Sequence, residues 1–419
     1  MKNIRKVIVA GIWICVAIGL IVIYLNISAK QSTMKVAFYN IPDIVTESLI
    51  AWIDDRKIDW EPVILDSTKP LSNYVKTPVA YNLLFTYDGK NLDSIAPFAR
   101  TANSDVLMLM PIPVRISVQT NGRLTGTPIL ADHFQLAYNI DILSRQQAIM
   151  PTTLSDMETT AQNIIDSQIG VLTTAPIICA GGDDDHLIMF FSSLLETLSG
   201  IENWEIASSV LQDSISTAGK NANNQAVFST FFNLPQVYSV LELLATWQDK
   251  GFLPQSWLEL SGEDVKNAMR ENIPAFAFTP FSFFEQSNAS TRLNYAVWYM
   301  PSGNNGGTRY LTAPAITAMQ FSLVKSPLQS ARQAGQNANM ANSLIKELLS
   351  SFPQTQLSTR TNLVPLNANA QTANTATADT RQLFAMSDGI IPDIARASLT
   401  LETQRKEFAQ AIRIHLLQM

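Results

Sequence analysis

Residues 127–139 (TPILADHFQLAYN) carry the most informative pattern of this chain. The dipeptide Asn121-Gly122 precedes them between two β-prone stretches, which is a strong signal for a tight hairpin. The segment itself is apolar and extended in character, except for the pair Asp132-His133 in its middle. Polar residues between two apolar strand halves are unusual, so Asp132 and His133 become candidates for a binding site.

The chain before this segment alternates strands with helices. Residues 35–39 (KVAFY) predict a strand, and Asp43 caps an amphipathic helix that follows it. Residues 60–65 and 82–86 predict two further strands. Such alternation is typical of a parallel α/β sheet. We also expect residues 105–119 to be rich in strand.

The chain after this segment is mostly helical. An acidic turn at 181–185 (GGDDD) predicts the start of a helix over 186–200. The best-defined helix covers 234–250, with a glycine after it as the stop signal. Residues 275–279 return to strand, and the chain ends in a helix over 400–417.

Composition excludes several classes of protein. The 419 residues are 47% hydrophobic and 15% charged, which excludes a disordered chain and leaves room for two or three domains. The net charge of −6 offers no basic field for nucleic acid. The cysteines are Cys15 and Cys179, too few for a disulfide framework, and the three histidines lie far apart. We therefore expect no metal, no cofactor and no nucleic acid partner.

The N-terminus predicts export. Lys2, Arg5 and Lys6 precede the uncharged run 7–25, whose helical length of roughly 28 Å is close to that of a bilayer core. We expect residues 1–30 to be a signal anchor, with a cleaved signal peptide as the alternative. The positive-inside rule then places the rest of the chain outside the bacterial cytoplasmic membrane, on its periplasmic face.

Motifs of common enzymes are absent from the sequence. It contains no GxxxxGK[ST], no GxSxG and no HExxH. The one acidic cluster, Asp183-Asp184-Asp185 beside His186, has three interpretations: a helix cap, a ligand contact or half of a cation site. We favour the cap, and we expect a protein without enzymatic activity.

Seven segments, in order along the chain, resemble the sugar-binding, maltose-binding-protein-like family of extracellular solute-binding proteins of ABC importers. They are KVAFYNIPDIVTESLIAWI (35–53), YDGKNL (87–92), GRLTGTPILADHFQLAYNIDIL (122–143), PTTLSDME (151–158), ATWQDKGFLPQSWLELSGEDV (245–265), PAFAFTPFSF (274–283) and NYAVWYMPSGNNGG (294–307).

The resemblance implies an α/β, two-lobed periplasmic-binding-protein-like fold with a ligand cleft between the lobes, preceded by an N-terminal transmembrane helix. The first lobe would comprise residues 34–131 and 316–370. The second would comprise residues 137–310 and 380–419. The hinge strands would then run near 131–137 and 310–316.

The resemblance also implies a site. Phe281 corresponds to the family's stacking aromatic residue, and Thr312 lies where the family has a glycine before a hinge strand. Ligands bind at the carboxyl ends of strands in such folds. The full set of predicted ligand-binding residues is Tyr39, Asp88, Asp132, His133, Asp183, Asp184, Phe281 and Thr312.

The function that the resemblance implies is the capture of a carbohydrate or similar polar solute and its delivery to the permease subunits of an ABC importer. Two alternatives stay open on the sequence. One is a two-lobed interaction module of the cell envelope that has lost its ligand. The other is an anchored glycan hydrolase that uses Asp183 and Asp88 as its pair of carboxylates.

Overall fold

The structure is a computed structural model. It describes residues 18–19, 33–76, 79–102, 104–117, 119–120, 123–167, 174–217, 224–303, 310–321, 331–367, 369–370, 383–384 and 387–419. The predicted anchor over 7–25 therefore lies outside the described residues, apart from Ile18 and Gly19. In the part of the chain that is described, no helix has the length and apolar character needed to cross a membrane.

Strands and helices alternate through the described chain. The strands are β1 (Met34–Tyr39), β2 (Trp60–Leu65), β3 (Leu83–Tyr87), β4 (Gln119–Thr120), β5 (Arg123–Leu124), β6 (Thr127–Ala131), β7 (Phe134–Asn139), β8 (Ile177–Cys179), β9 (Phe276–Pro280), β10 (Tyr295–Trp298), β11 (Tyr310–Thr312), β12 (Ala315–Gln320), β13 (Val364–Pro365) and β14 (Gly389–Ile391). The helices are α1 (Asp43–Asp54), α2 (Lys90–Ile95), α3 (Ser104–Leu107), α4 (Ile112–Ser117), α5 (Ile140–Arg145), α6 (Leu154–Ser167), α7 (Asp184–Thr217), α8 (Asn224–Phe232), α9 (Pro235–Asp249), α10 (Gly262–Arg270), α11 (Phe281–Glu285), α12 (Ala289–Asn294), α13 (Ala331–Leu348), α14 (Ser351–Thr361), α15 (Ile394–Ser398) and α16 (Glu402–Leu416). Helix α7 is broken at Gly200, whose φ is 79°.

The first sheet has six strands in the order β13-β6-β12-β3-β1-β2. Strand β1 runs parallel to both β2 and β3, as the alternation of strands and helices predicts. Strand β12 comes from far along the chain and lies antiparallel between β3 and β6. The prediction of a parallel sheet is therefore right for β1 to β3 and wrong for the rest, because the late strand enters in the opposite direction.

Both faces of this sheet are buried along β1, β3, β6 and β12, whereas the edge strand β2 is largely exposed. Along β1, Val36 and Phe38 pack into one apolar cluster, while Ala37 and Tyr39 pack into another on the opposite face. Strand side chains alternate between the two faces, so an unbroken apolar run such as residues 36–39 is what a sheet covered on both sides requires.

The second sheet has four strands in the order β10-β7-β9-β8. Its larger cluster packs β7, β8 and β9 against α7 and α9, with Trp247 and Phe278 buried in it. The chain leaves the first sheet at Ala131 and enters the second at Phe134. The pair Asp132-His133 therefore forms one of the connections between the two sheets.

The prediction of strands over 105–119 is wrong. The region forms α3 and α4, and strand structure begins only at Gln119. Val106 of α3, Met110 of the turn after it and Val114 of α4 are buried at intervals of four residues. A short run of mixed apolar residues fits either period, so the pattern alone favoured the wrong element.

The C-terminal segment 389–402 contacts both halves of the molecule. Its strand β14 pairs in parallel with β11. On the side of the first sheet, the hydroxyl of Tyr39 donates to the carbonyl of Thr400 at 3.3 Å. On the side of the second, the backbone N–H of Ile394 donates to Ser192 Oγ at 3.1 Å. This segment therefore forms one wall of the space between the sheets.

Candidate functional site

A cavity of about 270 Å³ lies between the two sheets, and we call it the cleft cavity. One side comes from the start of α1 and the end of β3, and the other from the start of α7 and from α11. The connection between the sheets and the C-terminal segment close it. Its lining residues are Pro42, Ile44, Val45, Tyr87, Asp132, Asp185, His186, Met189, Pro280, Ser282, Gln286, Pro314, Thr361, Leu363 and Arg396.

Asp132 is the predicted site residue that lines this cavity. Its Oδ1 accepts a hydrogen bond from the backbone N–H of Ser282 at 2.9 Å, and its Oδ2 accepts one from Ser282 Oγ at 2.6 Å. Desolvation raises the pKa of the Asp132 carboxyl to about 6, although the hydrogen bonds from Ser282 oppose that shift. Asp132 is thus a fixed acceptor at the junction of the two sheets.

Some side chains of the acidic turn before α7 hold the turn in place, and others line the cavity. Asp183 Oδ2 accepts from the backbone N–H of Gly262 at 2.8 Å, and Asp184 pairs with Arg413 at 2.7 Å. The next residues, Asp185 and His186, are those that line the cavity. Two predicted site residues therefore anchor the turn, and their two neighbours face the cleft.

A second charged group reaches the cavity from the C-terminal segment. The guanidinium of Arg396 lies over the ring of Tyr87, 4.1 Å from its centroid. It pairs with the buried Asp393 and lies 3.7 Å from Asp185. Desolvation alone would raise the pKa of Asp185, but the guanidinium groups of Arg405 and Arg396 together hold it well below its usual range.

Tyr39 and Asp88 lie at the ends of β1 and β3, as predicted, but both are buried away from the cavity lining. Tyr39 donates its hydroxyl to the carbonyl of Lys69 at 2.9 Å, and burial raises its pKa to about 12. Asp88 Oδ1 accepts from the backbone N–H of Ala315 at 2.8 Å, and burial raises its pKa to about 7. The C-terminal segment covers this end of the first sheet.

His133 and Phe281 are stacked on each other inside the protein. Their ring centroids are 5.4 Å apart, and Phe384 meets the histidine ring edge-on at 5.3 Å. Burial lowers the pKa of His133 to about 3, although the side chain of Gln135 opposes that shift. Phe281 is 1% exposed, so its ring packs in the core instead of offering a stacking face to the cleft.

Thr312 lines a second, much smaller cavity of about 20 Å³ near β11. Glu196 lies in the same lining, where its Oε1 accepts from the backbone N–H of Tyr310 at 3.1 Å. Burial raises the pKa of Glu196 to about 8. The volume is that of a water molecule, so this space is too small for a sugar.

The structure therefore brings one predicted residue, Asp132, into the cleft cavity and adds others that the sequence analysis missed. Ser282 directly follows the predicted Phe281, so the prediction missed this lining residue by one position. No sequence pattern indicated Arg396 as a site residue, because the C-terminal segment meets the cleft only in the folded chain. No group of His, Cys, Asp and Glu suited to a metal ion occurs among the described residues.

Solved structures with this fold are sugar-binding and other solute-binding proteins. The chain is similar to the putative binding protein MsmE of Bacillus subtilis, with a TM-score of 0.68, 14% identity and coverage of 93% of this chain and 94% of that one. It is similar to the bacterial solute receptor AcbH, described as exclusive for β-D-galactopyranose, with a TM-score of 0.67, 11% identity and coverage of 92% and 99%. It is also similar to maltose-bound MalE3 of T. maritima, with a TM-score of 0.56, 15% identity and coverage of 91% and 100%.

These likenesses confirm the α/β, two-lobed part of the predicted fold class. The chain has the α/β, two-lobed fold of solute-binding proteins over nine-tenths of its length. No family model matches the chain, and no curated protein matches it. At 11–15% identity the likeness is one of fold, so the ligand has to be argued from the cleft itself.

Proposed function

We propose that this protein binds a small carbohydrate in the cleft cavity and delivers it to an ABC importer. The observation that carries the proposal is the cavity itself, where Asp132, Arg396 and the ring of Tyr87 meet between the two sheets. Closure of two lobes over a solute is the motion that such a fold performs.

The lining suits a polyol. Asp132 and Asp185 supply hydrogen-bond acceptors for hydroxyl groups, and Arg396 supplies donors. Apolar walls from Met189 and Ile44 can cover the C–H faces of a sugar ring. The volume of about 270 Å³ lies just below the roughly 300–1,000 Å³ of most ligand pockets, so we expect a mono- or disaccharide.

The printed ligands of similar structures support this proposal. MalE3 of T. maritima is described as maltose-bound, and AcbH as preferring β-D-galactopyranose. Both are binding proteins, which supports binding of a solute without an enzymatic reaction. The two carboxylates of the hydrolase alternative, Asp183 and Asp88, both lie outside the cavity lining and accept hydrogen bonds from backbone N–H groups. An open polar cavity also favours solute binding over a module that has lost its ligand.

The proposal includes a place at the membrane. The basic start and uncharged run over 7–25 support an N-terminal anchor that holds the binding protein on the periplasmic face. A tether of this kind raises the local concentration of the protein near its permease. N-terminal sequencing of the membrane fraction tests the anchor, because cleavage near residue 30 would contradict it.

A screen of the full chain against monosaccharides, disaccharides and polyols, by thermal shift and then titration calorimetry, tests the binding proposal. Gln286 is exposed at the cavity mouth, so Gln286→Trp should block entry and abolish binding. Gln162→Trp is the matched control on the exposed face of α6 and should bind as the wild type does. Binding that survives Gln286→Trp would contradict a site in this cavity.

A further inference from the structure

The charges around the cleft cavity are not balanced. Arg396 and Arg405 already face Asp393, Asp185 and Glu402 within 4 Å, so both guanidinium charges are compensated by protein carboxylates. These pairs form a network along the C-terminal wall. The positive charges of Arg396 and Arg405 are therefore balanced by protein carboxylates before any ligand enters.

Asp132 stands apart from this network. Both of its hydrogen bonds come from Ser282, and no ion pair in the described part of the chain includes its carboxylate. Arg396 is near enough to lower the pKa of Asp132, and Asp185 raises it. A carboxylate that is part-buried, lines a cavity and lacks a cation favours a ligand that supplies one.

The remaining charged groups near the cavity do not supply a cation to Asp132. The ammonium of Lys266 lies over the Phe283 ring at 4.3 Å and donates to Gln286 Oε1 at 2.9 Å. His186 lies 3.8 Å from Asp183, and its pKa is lowered chiefly by desolvation, which favours the neutral ring near neutral pH. Neither group pairs with Asp132.

Resting on the proposed function, we infer that the solute of the cleft cavity carries a protonated amine beside its hydroxyl groups, as an amino sugar does, and that Asp132 selects it. The ammonium would pair with Asp132, and the hydroxyl groups would bind Asp185 and Arg396. A sugar acid would place its carboxylate beside the two carboxylates of the lining, Asp132 and Asp185, and would be rejected by like-charge repulsion.

Titration calorimetry with glucose, glucosamine and glucuronate tests the inference, because these probes share a ring and differ in charge. At pH 7 the wild type should bind glucosamine about 10- to 100-fold more tightly than glucose, and glucuronate most weakly. Asp132→Asn keeps an acceptor toward Ser282 and should remove the preference for glucosamine. Its fold is checked by circular dichroism.

A second measurement does not depend on a variant. Lowering the pH from 7 to 5 protonates Asp132, so the wild-type preference for glucosamine over glucose should shrink, and it should not change with pH in Asp132→Asn. Equal affinity for the three probes, or a preference for glucuronate, overturns the inference and leaves sugar binding intact. No binding of any probe, with none in the wider sugar screen, overturns the proposed function and the inference together.

Discussion

Asp88 and Asp132 are both carboxylates at the ends of strands, yet their surroundings differ. Asp88 accepts from the backbone N–H of Ala315 and is 3% exposed, with Gly89 packed directly against the backbone of Arg396. Asp132 is held by Ser282 and opens onto a cavity of about 270 Å³. The same functional group is structural in one place and a candidate ligand contact in the other.

The difference lies in what covers each strand end. The C-terminal segment lies over the ends of β1 and β3, where Thr400 accepts from Tyr39 and from Asn91 at 3.2 Å. The connection between the sheets has no such cover, so Asp132 faces free space. Arg396 belongs to both regions, because its backbone covers Gly89 and its side chain lines the cavity.

The largest effect is expected from Arg396→Ala. The change removes the guanidinium partner of Asp393, a fully buried carboxylate, and leaves it with the backbone N–H of residue 396 at 2.9 Å and Arg405 at 3.8 Å. Breaking a buried pair from one side costs about 3–5 kcal/mol, so we expect a loss of about 3 kcal/mol in the free energy of unfolding. Urea denaturation measures it. Arg360→Ala, on an exposed turn of α14, is the control and should change stability by less than about 0.5 kcal/mol.

Gly89→Ala tests the cover over Asp88. Gly89 has a φ of +98°, and a Cβ there would lie 2.4 Å from the Arg396 carbonyl oxygen. We expect a loss of about 2 kcal/mol from backbone strain and the displaced segment. Gly335→Ala is the matched control in α13, where a Cβ meets nothing within 4 Å, and it should stabilise by about 0.5–1 kcal/mol. If Gly89→Ala left the free energy of unfolding unchanged, the C-terminal segment would not be packed tightly against this turn.

The third effect is a dependence of stability on pH, which is spread over about three pH units. Because the pKa of Asp88 is raised to about 7 in the folded state, the folded chain keeps a proton that the unfolded chain has lost. Stability from this group is complete below about pH 4 and is lost as the pH rises to 7, with a slope of at most about 1.4 kcal/mol per pH unit. Asp88→Asn should remove this share of the slope in urea denaturation between pH 4 and 7. An unchanged slope would contradict the buried, protonated carboxyl.

The sequence predicted the fold well because the fold depends on local pattern. The strand at 35–39, the helix stop at Gly251 and the polar pair Asp132-His133 between two strand halves all lie in the structure as expected. The misassigned region 105–119 shows the limit, since its apolar spacing fits both a strand and a helix. The bounds of the two lobes and the N-terminal anchor stay predictions.

The site was predicted less well because it depends on contacts between distant segments. Tyr39 and Asp88 do end strands, but no pattern in 34–131 shows that residues 389–402 return to cover them. Phe281 was chosen from the resemblance, and its neighbour Ser282 is the residue that faces the cavity. Strand ends could be located from the sequence, whereas their exposure could not.

The most direct test of the account compares Asp132→Asn with Asp88→Asn in titration calorimetry, using the sugar that binds the wild type most tightly in the screen. Both changes replace a carboxyl group by an amide and keep the side-chain shape. The account predicts that Asp132→Asn weakens binding at least about tenfold, while Asp88→Asn stays within about twofold of the wild type. Equal losses in the two variants, or a larger loss in Asp88→Asn, would contradict the assignment of the cleft cavity as the binding site.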